Sequence, residues 1–172
     1  MTPLRINIAN LPLGTYAYDL ESLPEDVELD TRFTAMVRVH VELEKMVRGI
    51  ALQAEVKAIG HFQCDRCLED FDSNIVANFS HTYLTSESDD YNLDDDVTII
   101  SPEANFIDLG EDVRQYVLLA IPQKLLCKED CAGLCPRCGK NLNYETCTCD
   151  ATIIDPRWAP LAQLATHDHD HH

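Results

Sequence analysis

The sequence predicts an α+β fold: an antiparallel β meander packed with one amphipathic helix, followed by a small cysteine-rich C-terminal segment. Three observations predict it. Long runs between Phe33 and Tyr83 alternate apolar and polar residues with a period of two, the mark of strands with one buried face. A single stretch after Asp108 switches to helical spacing. Six of the eight cysteines fall between Cys127 and Cys149.

Taken in order, Leu4, Ile6 and Ile8 alternate as in a short strand. Leu20 to Asp30 is acidic and contains Pro24, so it reads as a loop. Phe33, Ala35, Val37, Val39, Val41 and Leu43 form one period-two run, and Ile50, Leu52, Ala54, Val56 and Ala58 form the next, with Lys45 to Gly49 as the turn. Phe71, Ile75, Ala77, Phe79 and Tyr83 mark a third. Consecutive strands with short connections make a meander. Ser86 to Asp96 carries six acidic residues and no basic one, too little apolar surface to order itself, and is expected to be a mobile loop. Asp108 is a good N-cap for a helix over 109–121, whose stripe is Leu109, Val113, Tyr116, Val117, Ala120 and Ile121. Glu111 and Asp112 suit its positive end, and Pro122 stops it. The chain thus divides into a sheet domain, residues 1–123, and a cysteine-rich segment with a C-terminal strap and tail, residues 124–172.

A chain of 172 residues suffices for one domain with a small appendage. It has no apolar run of about 18 residues, so no spanning helix is expected. Met1 to Leu13 lacks a continuous apolar stretch, so a cytoplasmic location is expected. Thiols stay reduced there, and eight cysteines point to metal or redox chemistry before disulfides. Net charge is −17, and residues 61–123 alone hold 14 acidic residues against 2 basic. Such a field repels a phosphate backbone and suits a basic protein partner, although acidity also serves solubility. No Ser-His-Asp set, Gly-rich phosphate loop or catalytic carboxylate pair stands at a telling spacing. His40, His61 and His81 lie in strand regions and read as structural. No enzymatic activity is expected.

Cys135-Pro136-Arg137-Cys138-Gly139 has the form of a zinc knuckle: two intervening residues let both thiolates reach one tetrahedral ion, and the glycine lets backbone amides turn toward the sulfurs. Cys147 and Cys149 follow closely, placing four cysteines within 15 residues. Cys-Pro-Arg-Cys also has the form of a dithiol redox motif, but Gly139, Asn141 and Asn143 favour turns over the helix such motifs open. Cys64-Asp65-Arg66-Cys67 reads as a second knuckle at a hairpin tip. Pairing it with Cys127 and Cys131 gives two four-cysteine sites. A six-cysteine, two-metal cluster and free buried thiols at Cys64 and Cys67 are the alternatives. One or two zinc ions per chain are expected. The run His167 to His172 is assigned no site.

The residues Cys127-Lys-Glu-Asp-Cys131-Ala-Gly-Leu-Cys135-Pro-Arg-Cys138-Gly, Asn141-Leu-Asn143, Cys147-Thr-Cys149 and Asp155-Pro-Arg-Trp-Ala-Pro-Leu161 resemble the YceD family, named for large ribosomal RNA subunit accumulation. The likeness extends to Cys64-Asp-Arg-Cys67-Leu68 and to Ile107-Asp-Leu109. It implies a non-enzymatic role in large ribosomal subunit assembly, with a basic large-subunit protein or the pre-ribosome as partner. It also implies that metal sites reinforce this branch, since some relatives lack the C-terminal cysteines. Arg157 and Trp158 are either a strap on the core or partner contacts. Asp89, Asp90, Asp94, Asp95 and Asp96 are expected to lead the encounter with a basic partner. The rival functions are a thiol–disulfide protein using Cys135 and Cys138, and a zinc-ribbon RNA-binding module built on Lys124, Lys128, Arg137, Lys140 and Arg157.

Overall fold

A computed structural model describes residues 4–85, 97–149 and 157. Its centre is a five-stranded sheet in the order β2-β3-β4-β5-β6, made of β2 (Gly14–Ser22), β3 (Val37–Lys45), β4 (Gly49–Gln63), β5 (Asp70–Leu84) and β6 (Val97–Ile99). The first four are antiparallel in sequence order, a meander. A second, two-stranded sheet pairs β1 (Arg5–Asn7) with β7 (Phe106–Asp108). One helix, α1 (Gly110–Leu119), follows β7.

The period-two runs give β3 to β5 their sidedness. Val37, Val39, Val41 and Leu43 of β3, with Ile50, Leu52, Ala54 and Val56 of β4 and Ile75, Ala77 and Phe79 of β5, are all buried. The residues between them in each strand are partly or fully exposed. The helix lays Val113 and Val117 on this face, and Tyr116 stacks on Phe79 with centroids 4.8 Å apart. Leu4, Ile6, Ile8, Ile107 and Leu109 join the same core through the small sheet. Burying side chains of this size contributes about 1.5–3 kcal/mol each, so one continuous core fixes both sheets and the helix.

Several elements depart from the sequence expectation. Leu20 to Asp30 is not a loop throughout: its first residues end β2, and Pro24–Val27 forms a 3-10 turn. β2 is an edge strand whose core-facing Tyr16, Tyr18 and Leu20 are only half-buried. β6 pairs parallel to β5, and both β6 and β7 are three residues long, too short for a periodic signal. Phe33 precedes β3 but is buried all the same, bridging to Gly60 and meeting Phe62 edge-on. Asp108 is the last residue of β7, one position ahead of the cap at Leu109, and its carboxylate accepts a 3.0 Å hydrogen bond from the Gly110 amide. The stretch Ser86 to Asp96, with all five of its named aspartates, lies outside the described residues, as do Trp158 and the run His167 to His172. No helix among the described residues is long and apolar enough to cross a membrane.

Candidate functional site

β4 and β5 extend past the rest of the sheet, pairing as far as Gln63 with Asp70, and Cys64-Asp65-Arg66-Cys67 caps this hairpin. The Leu68 amide bonds the Cys64 carbonyl at 2.9 Å and the Cys64 amide bonds the Glu69 carbonyl at 2.9 Å. Leu68 therefore sits at φ 62°, in the left-handed region. Cys135-Pro136-Arg137-Cys138 repeats the geometry. The Gly139 amide bonds the Cys135 carbonyl at 2.9 Å, the Cys135 amide bonds the Lys140 carbonyl at 2.8 Å, and Gly139 has φ 73°. The two loops share one turn; glycine fills its left-handed position in one and leucine in the other.

The first loop draws in a segment about sixty residues away in sequence. Asp65 receives the Leu125 amide on its carboxylate at 2.7 Å and gives its own amide to the Leu125 carbonyl at 2.8 Å. Arg66 donates from its guanidinium to the Cys131 carbonyl at 2.8 Å and accepts the Leu134 amide at 3.0 Å. Gly133, at φ 75°, lets the chain pass close beneath Arg66; a Cβ there would lie 3.1 Å from the Arg66 carbonyl oxygen.

Two separate groups of four sulfurs result. Cys64, Cys67, Cys127 and Cys131 form one, mostly buried; Cys135, Cys138, Cys147 and Cys149 form the other, mostly more exposed. Within each group all four sulfurs lie within 4.8 Å of one another. Individual separations are 3.8 Å for Cys64–Cys131, 3.6 Å for Cys67–Cys127, 3.5 Å for Cys138–Cys147 and 3.3 Å for Cys135–Cys147. A tetrahedral ion with sulfur ligands at about 2.3 Å needs edges of about 3.8 Å. A disulfide needs about 2.05 Å, and all eight cysteines are free. Both groups can hold a metal ion, and their all-sulfur donors suit a borderline or soft metal.

The surroundings favour thiolates at chosen positions. Burial pushes the Cys64 thiol up, but the backbone N–H groups of Cys127, Cys67 and Arg66 outweigh it and hold it at about 6. The N–H groups of Cys138 and Arg137 hold Cys135 at about 6 likewise. The Asn143 side chain lowers Cys131. Burial together with neighbouring sulfurs pushes Cys127 up to about 12, and the Cys147 sulfur pushes Cys149 up to about 12. Four thiolates repel one another without a cation, and a bound dication removes that repulsion.

A model of the family described as large ribosomal RNA subunit accumulation protein YceD matches residues 52–165, two thirds of the chain, including all eight cysteines. The chain belongs to the YceD family. An uncharacterized protein of Mycobacterium tuberculosis is 30% identical over 132 residues, covering 76% of this chain and 62% of the relative. The Arabidopsis thaliana YCED homolog 1, a chloroplastic large ribosomal RNA subunit accumulation protein, is 28% identical over 155 residues, covering 74% of this chain and 48% of the relative. The Bacillus subtilis YlbN protein, uncharacterized, is 26% identical over 140 residues, covering 81% and 80%. The chain thus spans about 62% of the length of the mycobacterial relative. No solved structure matches it.

Among the other residues singled out in the sequence, Arg157 is exposed. Two of the five basic residues of the RNA-module reading already face carboxylates, Lys128 at 4.0 Å from Asp130 and Lys140 at 3.3 Å from Glu145. Sequence reasoning missed Asp65, Arg66, Leu68 and Asn143 as parts of this YceD-family site. The repetition of Cys-x-Arg-Cys is a sequence signal for the Asp65–Arg66 loop, and none marks Asn143.

Proposed function

We propose that this chain is a non-enzymatic factor in large ribosomal subunit biogenesis. It supports accumulation of the large-subunit rRNA by binding a basic ribosomal protein or the assembling subunit in the cytoplasm. The observation that carries the reading is the YceD family match across residues 52–165. The net charge of −17 supports a basic polypeptide over bare RNA as the first contact.

Zinc is the ion we assign to both clusters, held by Cys64, Cys67, Cys127 and Cys131 in one and by Cys135, Cys138, Cys147 and Cys149 in the other. In the first cluster its role is to fasten the C-terminal segment to the β4–β5 hairpin and in the second to order that segment itself, since small segments of this kind depend on metal for folding. Four thiolates around a dication carry a formal charge of about −2, which adds to the acidic field. This opposes an RNA-binding ribbon. Sulfurs committed to a closed four-ligand site are also poor nucleophiles, which opposes a redox role.

Affinity purification of the metal-loaded protein at gentle salt, with protein and RNA both identified, tests the reading. Recovery of a basic large-subunit protein or a pre-ribosomal particle supports it. Recovery of rRNA that persists after proteins are removed replaces it with the RNA module. Turnover in an insulin-reduction assay by the zinc-loaded protein replaces it with the thiol–disulfide reading.

A further inference from the structure

β2 runs nine residues and pairs only with β3, so it forms one side of the five-stranded sheet. Every second residue of an antiparallel edge strand turns its N–H and C=O away from its partner. Among the described residues, no backbone hydrogen bond reaches β2 from outside the β2–β3 pair. Proteins usually blunt such an edge with lysine, proline or a bulge. Gly14–Ser22 contains no lysine and no proline, and its register with β3 runs unbroken from Gly14↔Lys45 to Ser22↔Val37. On the core side Tyr16, Tyr18 and Leu20 stay half-buried, so the apolar layer stops at this edge with surface left over. Just beyond the strand is a cleft of about 460 Å³ walled by Leu23, Pro24, Leu29 and Phe33 and flanked by Glu25 and Asp30.

Charge selects the occupant. Residues 14–30 carry six acidic side chains and no basic one. Asp19, Glu21 and Asp30 meet His40, Arg38 and Arg32, while Glu25, Asp26 and Glu28 are exposed. A second copy of the chain brings the same carboxylates to the shared edge and is repelled. Residues 150–172 of the chain hold four acidic residues and one basic, again the wrong sign. We propose that the β2 edge takes up an extended, lysine- or arginine-rich segment of a basic protein as a sixth strand. Its apolar residues continue the shelf of Tyr16, Tyr18 and Leu20, and its basic residues lie along the solvent face with Asp19 and Glu21. Main-chain hydrogen bonds supply affinity and the alternating side chains supply selectivity. The inference rests on the proposed basic partner and adds where that partner binds and in what conformation.

The test uses the full-length, metal-loaded protein and a nine-residue peptide alternating lysine and valine. Exchange of the alternate β2 amides that face away from β3 slows about tenfold or more on binding, and affinity falls about tenfold or more between 0.1 M and 1 M salt. Peptides N-methylated on one or the other set of alternate nitrogens separate, one binding and one not, because only one edge of an added strand faces β2. Ala17→Lys, on the exposed face of β2, weakens binding about tenfold with the far-ultraviolet spectrum unchanged. Equal binding of a glutamate–valine peptide, protection at another strand, equal behaviour of the two methylated peptides, or prior protection in the isolated protein of the alternate β2 amides that face away from β3 overturns the proposal. If a basic ribosomal protein is captured and β2 exchange does not change, the edge is wrong and the partner reading stands. If the peptide protects β2 but no basic protein is captured, the edge stands and the partner reading falls.

Discussion

The side-chain amide of Asn143 lies 3.4 Å from the sulfur of Cys131, so the loop of one cysteine cluster hydrogen-bonds a sulfur of the other. The same side chain is locked in place by Asn141, 2.8 Å from its nitrogen, and by the Ala132 amide, 2.9 Å from its oxygen. Hydrogen bonds of this outer kind orient a metal ligand and stabilise its charge. Asn143→Ala should weaken metal binding at the first cluster about 10–100-fold, although Asn143 is no ligand itself. Competition with a chelator reads this directly. Unchanged binding at both clusters, or weakened binding at the second alone, rules the coupling out.

Metal content follows from the two separate clusters. The purified protein should carry two zinc ions per chain, and Cys135→Ser should keep one. That variant should lose order in the C-terminal segment while the sheet persists, because the first knuckle is built on β4 and β5 and the second is not. Elemental analysis and circular dichroism decide. Coloured, iron-containing protein or metal-free protein contradicts the assignment.

The paired knuckles give a backbone prediction. A non-glycine residue in the left-handed region costs about 1–2 kcal/mol, and Leu68 bears that cost at φ 62° while 56% exposed. Leu68→Gly should stabilise the metal-loaded protein by about 0.5–1 kcal/mol after the entropy of the added glycine is counted. Gly139→Ala should destabilise it by about 1 kcal/mol, although an added Cβ meets nothing within 4 Å. Chemical denaturation at fixed zinc measures both. The same sign for the two variants refutes the shared geometry.

The difference between what was legible in sequence and what was not has physical causes. β3, β4 and β5 could be read because one face of each is sealed by the core, leaving strict alternation in Val37 to Leu43, Ile50 to Ala58 and Ile75 to Phe79. β2 alternates as well, Tyr16, Tyr18 and Leu20 against Ala17, Asp19 and Glu21, but its core side is two tyrosines and one leucine left half-buried at the sheet edge, a weaker apolar signal than the buried valines of β3. The cysteine spacing announced metal chemistry, because ligand geometry is local to each loop. Arg66 meets the Cys131 carbonyl across 65 residues of sequence and Asn143 meets the Cys131 sulfur across 12, and no cysteine-spacing rule encodes either contact.

The solvent face of the sheet carries two matched pairs across neighbouring strands. His40 Nδ1 lies 2.7 Å from Asp19, and His61 Nδ1 lies 2.9 Å from Asp72. Each carboxylate raises its histidine above the ordinary 6.5 through the hydrogen bond. A raised folded-state value means that the stabilising contribution is complete below pH 6.5 and disappears as pH climbs through the folded value. NMR titration should place both imidazoles above 6.5. Asp19→Asn should bring His40 back toward 6.5 and leave His61 where it was. A His40 titration unmoved by Asp19→Asn contradicts the pairing.

Asp89, Asp90, Asp94, Asp95 and Asp96 lie outside the described residues, yet they hold five of the 14 acidic residues in 61–123. Charges of this kind steer encounter more than they hold a complex. Changing all five to Asn should therefore lower the association rate with a basic large-subunit protein by about tenfold at 0.1 M salt, with little change in dissociation. The difference between variant and wild type should vanish near 1 M salt, where the screening length falls to about 3 Å. Stopped-flow kinetics over a salt series separates the two rates. A variant that dissociates faster but associates normally would make these aspartates part of the bound interface and not a steering field, and tight binding of protein-free rRNA, indifferent to the five changes, would remove the electrostatic partner altogether.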